Sequence, residues 1–369
     1  MKILIIIGTR PEAIKMAPLV LHLRKELDVK VCVTAQHREM LDQVLNLFKI
    51  IPDYDLNLMK PNQNLANLTG EILNGVTKIL IKEKFDWVLV QGDTTSAMAS
   101  TMAAFYQNVS VGHVEAGLRT YDLRSPFPEE LNRQFISKMV QLHFSPTAEN
   151  KQNLIKEGFS EKRISITGNT VIDALHWVLK HESPADLGLP VNFQHTRMIL
   201  VTGHRRENFG YGFQQICEAL KLIAIQKPDV QIVYPVHLNP NVRKPVNQIL
   251  SQVSNLHLLE PLEYSQFVHL LNHSTLVLTD SGGVQEEAPS LGKPVLVMRD
   301  TTERPEAVKV GTVKLVGTNK RTIVDETMNI LNNPNVYKKM AYSHNPYGDG
   351  TACKKILKTL LTFAKSQIY

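Results

Sequence analysis

The apolar run Leu276–Leu278 is followed, after Thr279, by Asp280-Ser281-Gly282-Gly283, and Val284 to Leu291 then falls at helical spacing. Strand, glycine-rich turn and helix in that order constrain the fold more than any other stretch of the chain. The arrangement points free backbone N–H groups at an anion. Two glycines let the backbone come close to a ligand, and Ser281 adds a hydroxyl donor. Glu287, one turn into the helix, cannot bind phosphate but can accept from sugar or ribose hydroxyls. Gly292-Lys293-Pro294 stops the helix, an apolar run continues from Val295 to Met298, and the next loop carries Arg299 and Arg304. Two basic residues opposite a helix N-terminus suit a diphosphate clamp. The plainer alternative is an ordinary strand–turn–helix of an α/β core with surface arginines.

The rest of the chain alternates strand and helix signals. Strands are predicted at Lys2–Ile7, Val29–Ala35, Trp87–Val90, Val109–Val114, Leu142–Ser145 and Arg163–Thr167. Helices are predicted at Pro11–Leu27, Thr94–Tyr106 and Thr170–Lys180. Residues 181–197 break the rhythm with prolines and polar residues and read as a linker. A second α/β series has strands at Met198–Thr202, Gln231–Pro235, Leu256–Leu259, Thr275–Leu278 and Pro294–Met298, and Thr351–Ile368 is a final amphipathic helix. The fold class is therefore α/β, with two doubly wound Rossmann-like domains, residues 1–180 and 198–350, each on a parallel sheet. Ligands in such sheets bind beyond the carboxyl ends of the strands. Two such domains facing each other would place the site in the cleft.

Composition removes several classes of function. With 43% hydrophobic and 21% charged residues in 369, this is a soluble protein long enough for two domains. No apolar run reaches the roughly 20 residues of a membrane span, and MKILIIIGTRPE reads as a first strand and not a signal peptide. Cys32, Cys217 and Cys353 are scattered among apolar neighbours, which argues against disulfides and zinc and suits the cytoplasm. The net charge of +6 is spread without basic blocks, so it fits an anionic small substrate better than nucleic acid.

Polar residues at strand ends are then the candidates. Gly8-Thr9-Arg10-Pro11-Glu12 follows the first strand, with Lys15 one turn on, and the two cations form a phosphate-facing pair. Only Gly8 is present where a dinucleotide turn needs three glycines, so the sequence makes no case for NAD. Asp93, in Gln91-Gly92-Asp93-Thr94-Thr95, is either functional or the cap of the next helix. Glu115 lies among apolar and small residues, where a carboxylate is costly. Glu129 and Glu130 open another helix, and stabilisation by the helix dipole accounts for Glu130. In the second half, His204 and Arg205 stand in a loop at a strand end and read as substrate contacts, with His237 behind them. Carboxylates from the first half with His, Arg and an anion-binding turn from the second suit a nucleotide sugar and proton transfer coupled to loss of a phosphate leaving group.

GTRPEAIKMAPL at 8–19, QGDTTSAMA at 91–99, HVEAGLRT at 113–120, PFPEELNRQ at 126–134, TGNTVIDAL at 167–175, TGHRREN at 202–208 and the long run at 279–308 closely resemble the non-hydrolysing UDP-N-acetylglucosamine 2-epimerases, in the family's order over nearly the whole chain. The resemblance implies glycosyltransferase-B architecture, with the C-terminal helix 351–369 returning to the first domain. It implies interconversion of UDP-GlcNAc and UDP-ManNAc without NAD or a required metal, in a homodimer, with a cell-surface polymer as the usual destination of the sugar. Because C2 bears an acetamido nitrogen and no neighbouring carbonyl, its proton is hardly acidic. The implied route is elimination of UDP to a 2-acetamidoglucal, then re-addition after protonation on the other face.

By motif, the resemblance implies Asp93, Glu115 and Glu129 as acid/base groups and His204 beside the diphosphate, where as a cation it would stabilise the leaving group. It places Arg10 and Lys15 on the UDP part, Ser281, Gly282 and Gly283 on phosphate, Glu287 on ribose, Arg304 on the substrate, and Phe267 and the Leu262 backbone near uracil. Gln36, Gln63, Arg205 and His237 fit a regulatory UDP-GlcNAc site known in some members, whereas Glu39 and Asn62 depart from it. A UDP-diacetamido-uronic acid epimerase would tend to carry Gln-Phe after GTRP, where this chain has Glu12-Ala13. A glycosyltransferase of the same fold would not need the three acids together. A hydrolysing epimerase and a non-catalytic UDP-sugar sensor complete the alternatives.

Overall fold

An unbroken apolar strand forms only where both its faces are covered. Lys2–Ile7 (β1) meets that condition, with Ile3 to Ile7 each at most 1% exposed. The computed structural model describes residues 1–34, 38–58, 63–184 and 196–366. Most of the stretch expected as a linker, 185–195, lies outside the described residues. The chain divides into unit 1, Met1–Trp177 with Tyr347–Tyr369, and unit 2, Val178–Pro346.

Unit 1 adds β2 (Asp28–Val33), β3 (Tyr54–Asp55), β4 (Trp87–Gln91), β5 (Ser110–Val114), β6 (Leu142–Ser145) and β7 (Ile164–Ile166). Its helices are α1 (Arg10–Leu23), α2 (Arg38–Leu47), α3 (Leu65–Lys82), α4 (Thr95–Tyr106), α5 (Glu129–Met139), α6 (Ala148–Lys156) and α7 (Thr170–His181), which runs on past the unit boundary. The seven strands are parallel in the order β3-β2-β1-β4-β5-β6-β7. Small buried residues on α4, Ala97, Ala99, Ser100, Ala103 and Ala104, let α3 and α4 pack closely over the sheet. Ile72, Val76 and Ile79 of α3 share that core with Leu4, Ile6, Val88 and Val90.

Unit 2 has β8 (Met198–Thr202), β9 (Gln231–Pro235), β10 (Leu256–Leu259), β11 (Leu276–Thr279), β12 (Val295–Val297) and β13 (Val313–Leu315), all parallel in the order β10-β9-β8-β11-β12-β13. Its helices are α8 (Tyr211–Gln226), α9 (Pro240–Leu250), α10 (Tyr264–His273), α11 (Val284–Ser290), α12 (Pro305–Val310), α13 (Lys320–Asn332) and α14 (Pro334–Ala341). Phe213, Ile216, Leu220 and Ile223 of α8 pack on Ile199, Val201 and Tyr234. The last helix, α15 (Ala352–Ser366), belongs to unit 1. The Asp173 carboxylate accepts the N–H groups of Ala352 and Cys353 at 3.1 and 3.0 Å, which satisfies free donors of its first turn, and Phe363 sits edge-on to Trp87. Among the described residues, no helix is long and apolar enough to cross a membrane.

Helix α1 ends at Leu23, four residues before its predicted end, because Lys25 and Glu26 bond back three residues in a tight turn that feeds β2. Its first turn is held by Glu12, which is 2% exposed. That carboxylate accepts the Gly8 N–H and the Thr9 hydroxyl at 2.9 Å each and the Thr94 hydroxyl at 2.6 Å, joining the starts of α1 and α4. Glu12→Ala would leave these donors without an acceptor, so it should destabilise the protein by about 2–4 kcal/mol, and Glu12→Gln by less. Urea unfolding checks this, and a loss no larger than that of an exposed substitution contradicts it.

Candidate active site

In unit 1 the chain leaves β1 toward β2 on one side and β4 toward β5 on the other, so β1 and β4 flank the point where strand order reverses. Open parallel sheets bind ligands beyond the carboxyl ends of strands at such a point. Arg10 follows β1, Asp93 follows β4 and Glu115 follows β5.

Glu115 has φ +66°, the left-handed region that side chains other than glycine seldom enter. Its carboxylate is held from several elements. Lys15 Nζ lies 2.7 and 2.6 Å from the two oxygens, Asn169 Nδ2 donates at 2.9 Å, and Gln91 Nε2 donates as well. The side chains of Lys15 and Glu115 are 15% and 9% exposed, so the pair is largely shielded. Lys15, read in the sequence as facing phosphate, is thus engaged with the acid in this structure.

Asp93 does not cap α4, because Thr94 does, accepting the Ala97 N–H. Its carboxylate takes Nε and Nη2 of Arg133, and its carbonyl accepts from Asn132. Burial pushes the Asp93 pKa up, opposed by Arg133 and reinforced by the charge on Glu115. Oε2 of Glu129, at the start of α5, is buried with no hydrogen-bond partner. Glu130 does more than meet a helix dipole. It is fully buried and accepts from the backbone of Thr120 and Tyr121, from Gln134 and from Arg133. It therefore holds both the 120–121 turn and the arginine that faces Asp93.

Unit 2 reverses strand order between β8 and β11. His204 follows β8 and Asp280 follows β11. Asp280 is fully buried, and its Oδ2 accepts the N–H groups of His204 and Arg205 at 2.9 Å each and the Asn208 amide at 3.3 Å. The His204 ring stacks on His237, with centroids 5.4 Å apart. Gly283 has an ordinary φ of −63°. What the glycines leave is room: a Cβ on Gly282 would stand 3.7 Å from Arg205 Nη2, and one on Gly283 would stand 3.9 Å from Glu287 Oε2. Ser281 N–H is turned back to Thr279 Oγ1, and Glu287 accepts the Tyr264 hydroxyl at 2.9 Å.

The family model described as UDP-N-acetylglucosamine 2-epimerase matches residues 20–361. The chain belongs to the UDP-N-acetylglucosamine 2-epimerase family. Among its relatives, UDP-N-acetylglucosamine 2-epimerase of Escherichia coli K12 is 60% identical over 98% of both chains. The Salmonella typhimurium protein of that name is 57% identical over 99% of this chain and all of its own. The crystal structure of UDP-GlcNAc 2-epimerase from Neisseria meningitidis bound to UDP-GlcNAc matches with a TM-score of 0.90 at 52% identity, covering 98% of this chain and 100% of that one.

Within this epimerase-family chain, the structure gathers Asp93, Glu115 and Lys15 in one network and brings Arg133, Asn132 and Asn169 to it. The sequence reading gave no role to those last three. In this structure the Arg299 guanidinium is paired with Glu207 and that of Arg304 with Glu286. Arg205, assigned by resemblance to a regulatory site, lies with Nη2 3.7 Å from where a Cβ on Gly282 would stand. Gln63 donates to Glu71 at 2.7 Å, Phe267 and Leu262 are half-buried near the start of α10, and Gln36 lies outside the described residues.

Beneath Asp93, the buried His113 donates from Nε2 to the Gly92 carbonyl at 2.7 Å, because a carbonyl can only accept. Gly92, at φ +69°, forms the turn that carries Asp93. Burial pulls the pKa of His113 down to about 4 and that of neighbouring His143 to about 3. Both are therefore neutral in the native state, whereas the unfolded chain takes up protons below about pH 6.5. The stability is present above that pH and is lost as pH falls toward 4, by on the order of 3 kcal/mol for His113. His113→Gln, which keeps a donor but cannot titrate, should flatten the profile in denaturant melts across that range. Parallel loss in both proteins contradicts the assignment.

Proposed function

We propose that the protein interconverts UDP-GlcNAc and UDP-ManNAc by reversible epimerisation at C2. The observation that carries this reading is the 60% identity, end to end, with a relative named for that activity, and the acid network at the carboxyl ends of β4 and β5 supports it. The C2 proton is too weakly acidic for simple removal. The reaction runs by loss of that proton and of UDP from C1, giving 2-acetamidoglucal, and UDP adds back after protonation from the opposite face. Two faces call for more than one acid/base group, and Asp93, Glu115 and Glu129 fill these roles. Burial favours the protonated form of Asp93 and fits it for proton donation. Glu129 Oε2, with no hydrogen-bond partner, fits proton removal.

His204, Arg10, Lys15 and the turn Ser281-Gly282-Gly283 hold the UDP part, Arg304 contacts the substrate, Glu287 takes the ribose, and Phe267 and Leu262 border uracil. The free, buried thiols of Cys32, Cys217 and Cys353 support a cytoplasmic setting. Phe105, Tyr106, Leu131 and Phe135, all exposed on the adjoining helices α4 and α5, support pairing with a second copy.

Incubation with UDP-GlcNAc in D₂O, without NAD or added metal, should give UDP-ManNAc carrying deuterium at C2, read by proton NMR. Asp93→Asn, Glu115→Gln and Glu129→Gln should each slow the reaction by about 10²–10⁴-fold. Free ManNAc with UDP would mean hydrolysis, and no exchange despite binding would point to transfer or to another UDP-sugar.

A further inference from the structure

Asp280 has one oxygen more than its anchoring task requires. Oδ2 alone accepts the His204 and Arg205 N–H groups and the Asn208 amide. Oδ1 is buried without a hydrogen-bond partner and lies 3.5 Å from His204 Nδ1. A buried carboxylate oxygen left unbonded is costly, so its direction carries information. That separation is an ion-pair distance, about 0.6 Å longer than an ordinary hydrogen bond of about 2.9 Å. The imidazole is itself 40% exposed and thus reachable by a ligand.

We propose that Asp280 is the positioning residue of His204: Oδ1 takes the Nδ1–H of the imidazole, leaves Nε2 as the nitrogen offered to the diphosphate, and supports a second proton there when the ligand binds. This rests on the reading of His204 as a diphosphate contact. A neutral imidazole that donates from Nδ1 to Asp280 presents a lone pair at Nε2, which repels phosphate oxygens. To donate to both Asp280 and the diphosphate, the ring must carry both protons, with the second drawn from solvent.

The groups facing the ring are Asp280 at the end of β11, Arg205 in its own loop and His237 in the loop after β9. Burial lowers the His204 pKa, with help from Arg205 and His237, while Asp280 raises it. Without ligand the ring is therefore neutral in weakly alkaline buffer, and the anionic diphosphate completes the set of charges that holds the imidazolium.

Titration calorimetry with UDP-GlcNAc at about pH 8, in buffers of different ionisation enthalpy, counts the protons taken up. UDP-GlcNAc is the right probe because its diphosphate has no proton to exchange in that range, and epimerisation releases none. The wild type should take up about one proton per site, and Asp280→Asn and His204→Asn close to none. Binding by the wild type without proton uptake, or unchanged uptake in Asp280→Asn, overturns the proposal. If Asp280→Asn fails to fold, or no UDP-GlcNAc binds, NMR of heavy-nitrogen-labelled histidine in the free wild type decides, with the His204 signals assigned by their loss in His204→Asn. A proton on Nδ1 and a bare Nε2 bear the proposal out, and the opposite tautomer overturns it. Absence of any UDP-GlcNAc binding contradicts the proposed function, so the two failures are told apart.

Discussion

The ion pair between Lys15 and Glu115 sets the terms for unit 1. A carboxylate at the end of a buried strand is affordable only with a partner, and here the partner comes from α1, the helix that follows β1, two strands away from β5 in the sheet. The pair fixes Glu115 although its backbone is in the left-handed region. Gln91 and Asn169 add donors from the ends of β4 and α7. An acid held this way has its geometry determined before any substrate arrives, which suits the proton transfer proposed for it. It is also coupled to Asp93, whose affinity for a proton rises with the negative charge of Glu115.

Both units use buried acids to hold loops at the carboxyl edge of a parallel sheet. Glu130 fastens the 120–121 turn and Arg133 in unit 1. Asp280 fastens residues 204, 205 and 208 in unit 2. Backbone N–H groups in such loops cannot be met by sheet or helix, and a carboxylate accepts several at once.

The fold could be read from the chain because its strands are unbroken apolar runs with short polar breaks, as in Lys2–Ile7 and Leu276–Thr279. The short edge strands Tyr54–Asp55 and Val313–Leu315 could not, since so few residues show no periodicity and exist as strands only by pairing with β2 and β12. Asp93 and Glu115 were legible from the rule that polar residues at strand ends face ligands. Arg133, Asn169 and Asp280 were not, because their partners are 40, 54 and 76 residues away. An acid one residue beyond the apolar run Leu276–Leu278 was the available signal for Asp280. Lys15 and Arg304 read as cations for phosphate, but charge alone does not say which nearby carboxylate takes them first.

Elimination requires that the bond between C1 and the oxygen bridging it to the β-phosphate break during epimerisation. UDP-GlcNAc with a heavy-oxygen label in that bridge tests this directly. If UDP departs and returns, the β-phosphate turns between the two events, and phosphorus NMR of the recovered substrate shows label in the non-bridging positions at a rate comparable to epimerisation. If UDP-ManNAc accumulates while the label stays in the bridge, the bond never broke, and elimination is the wrong chemistry for this site.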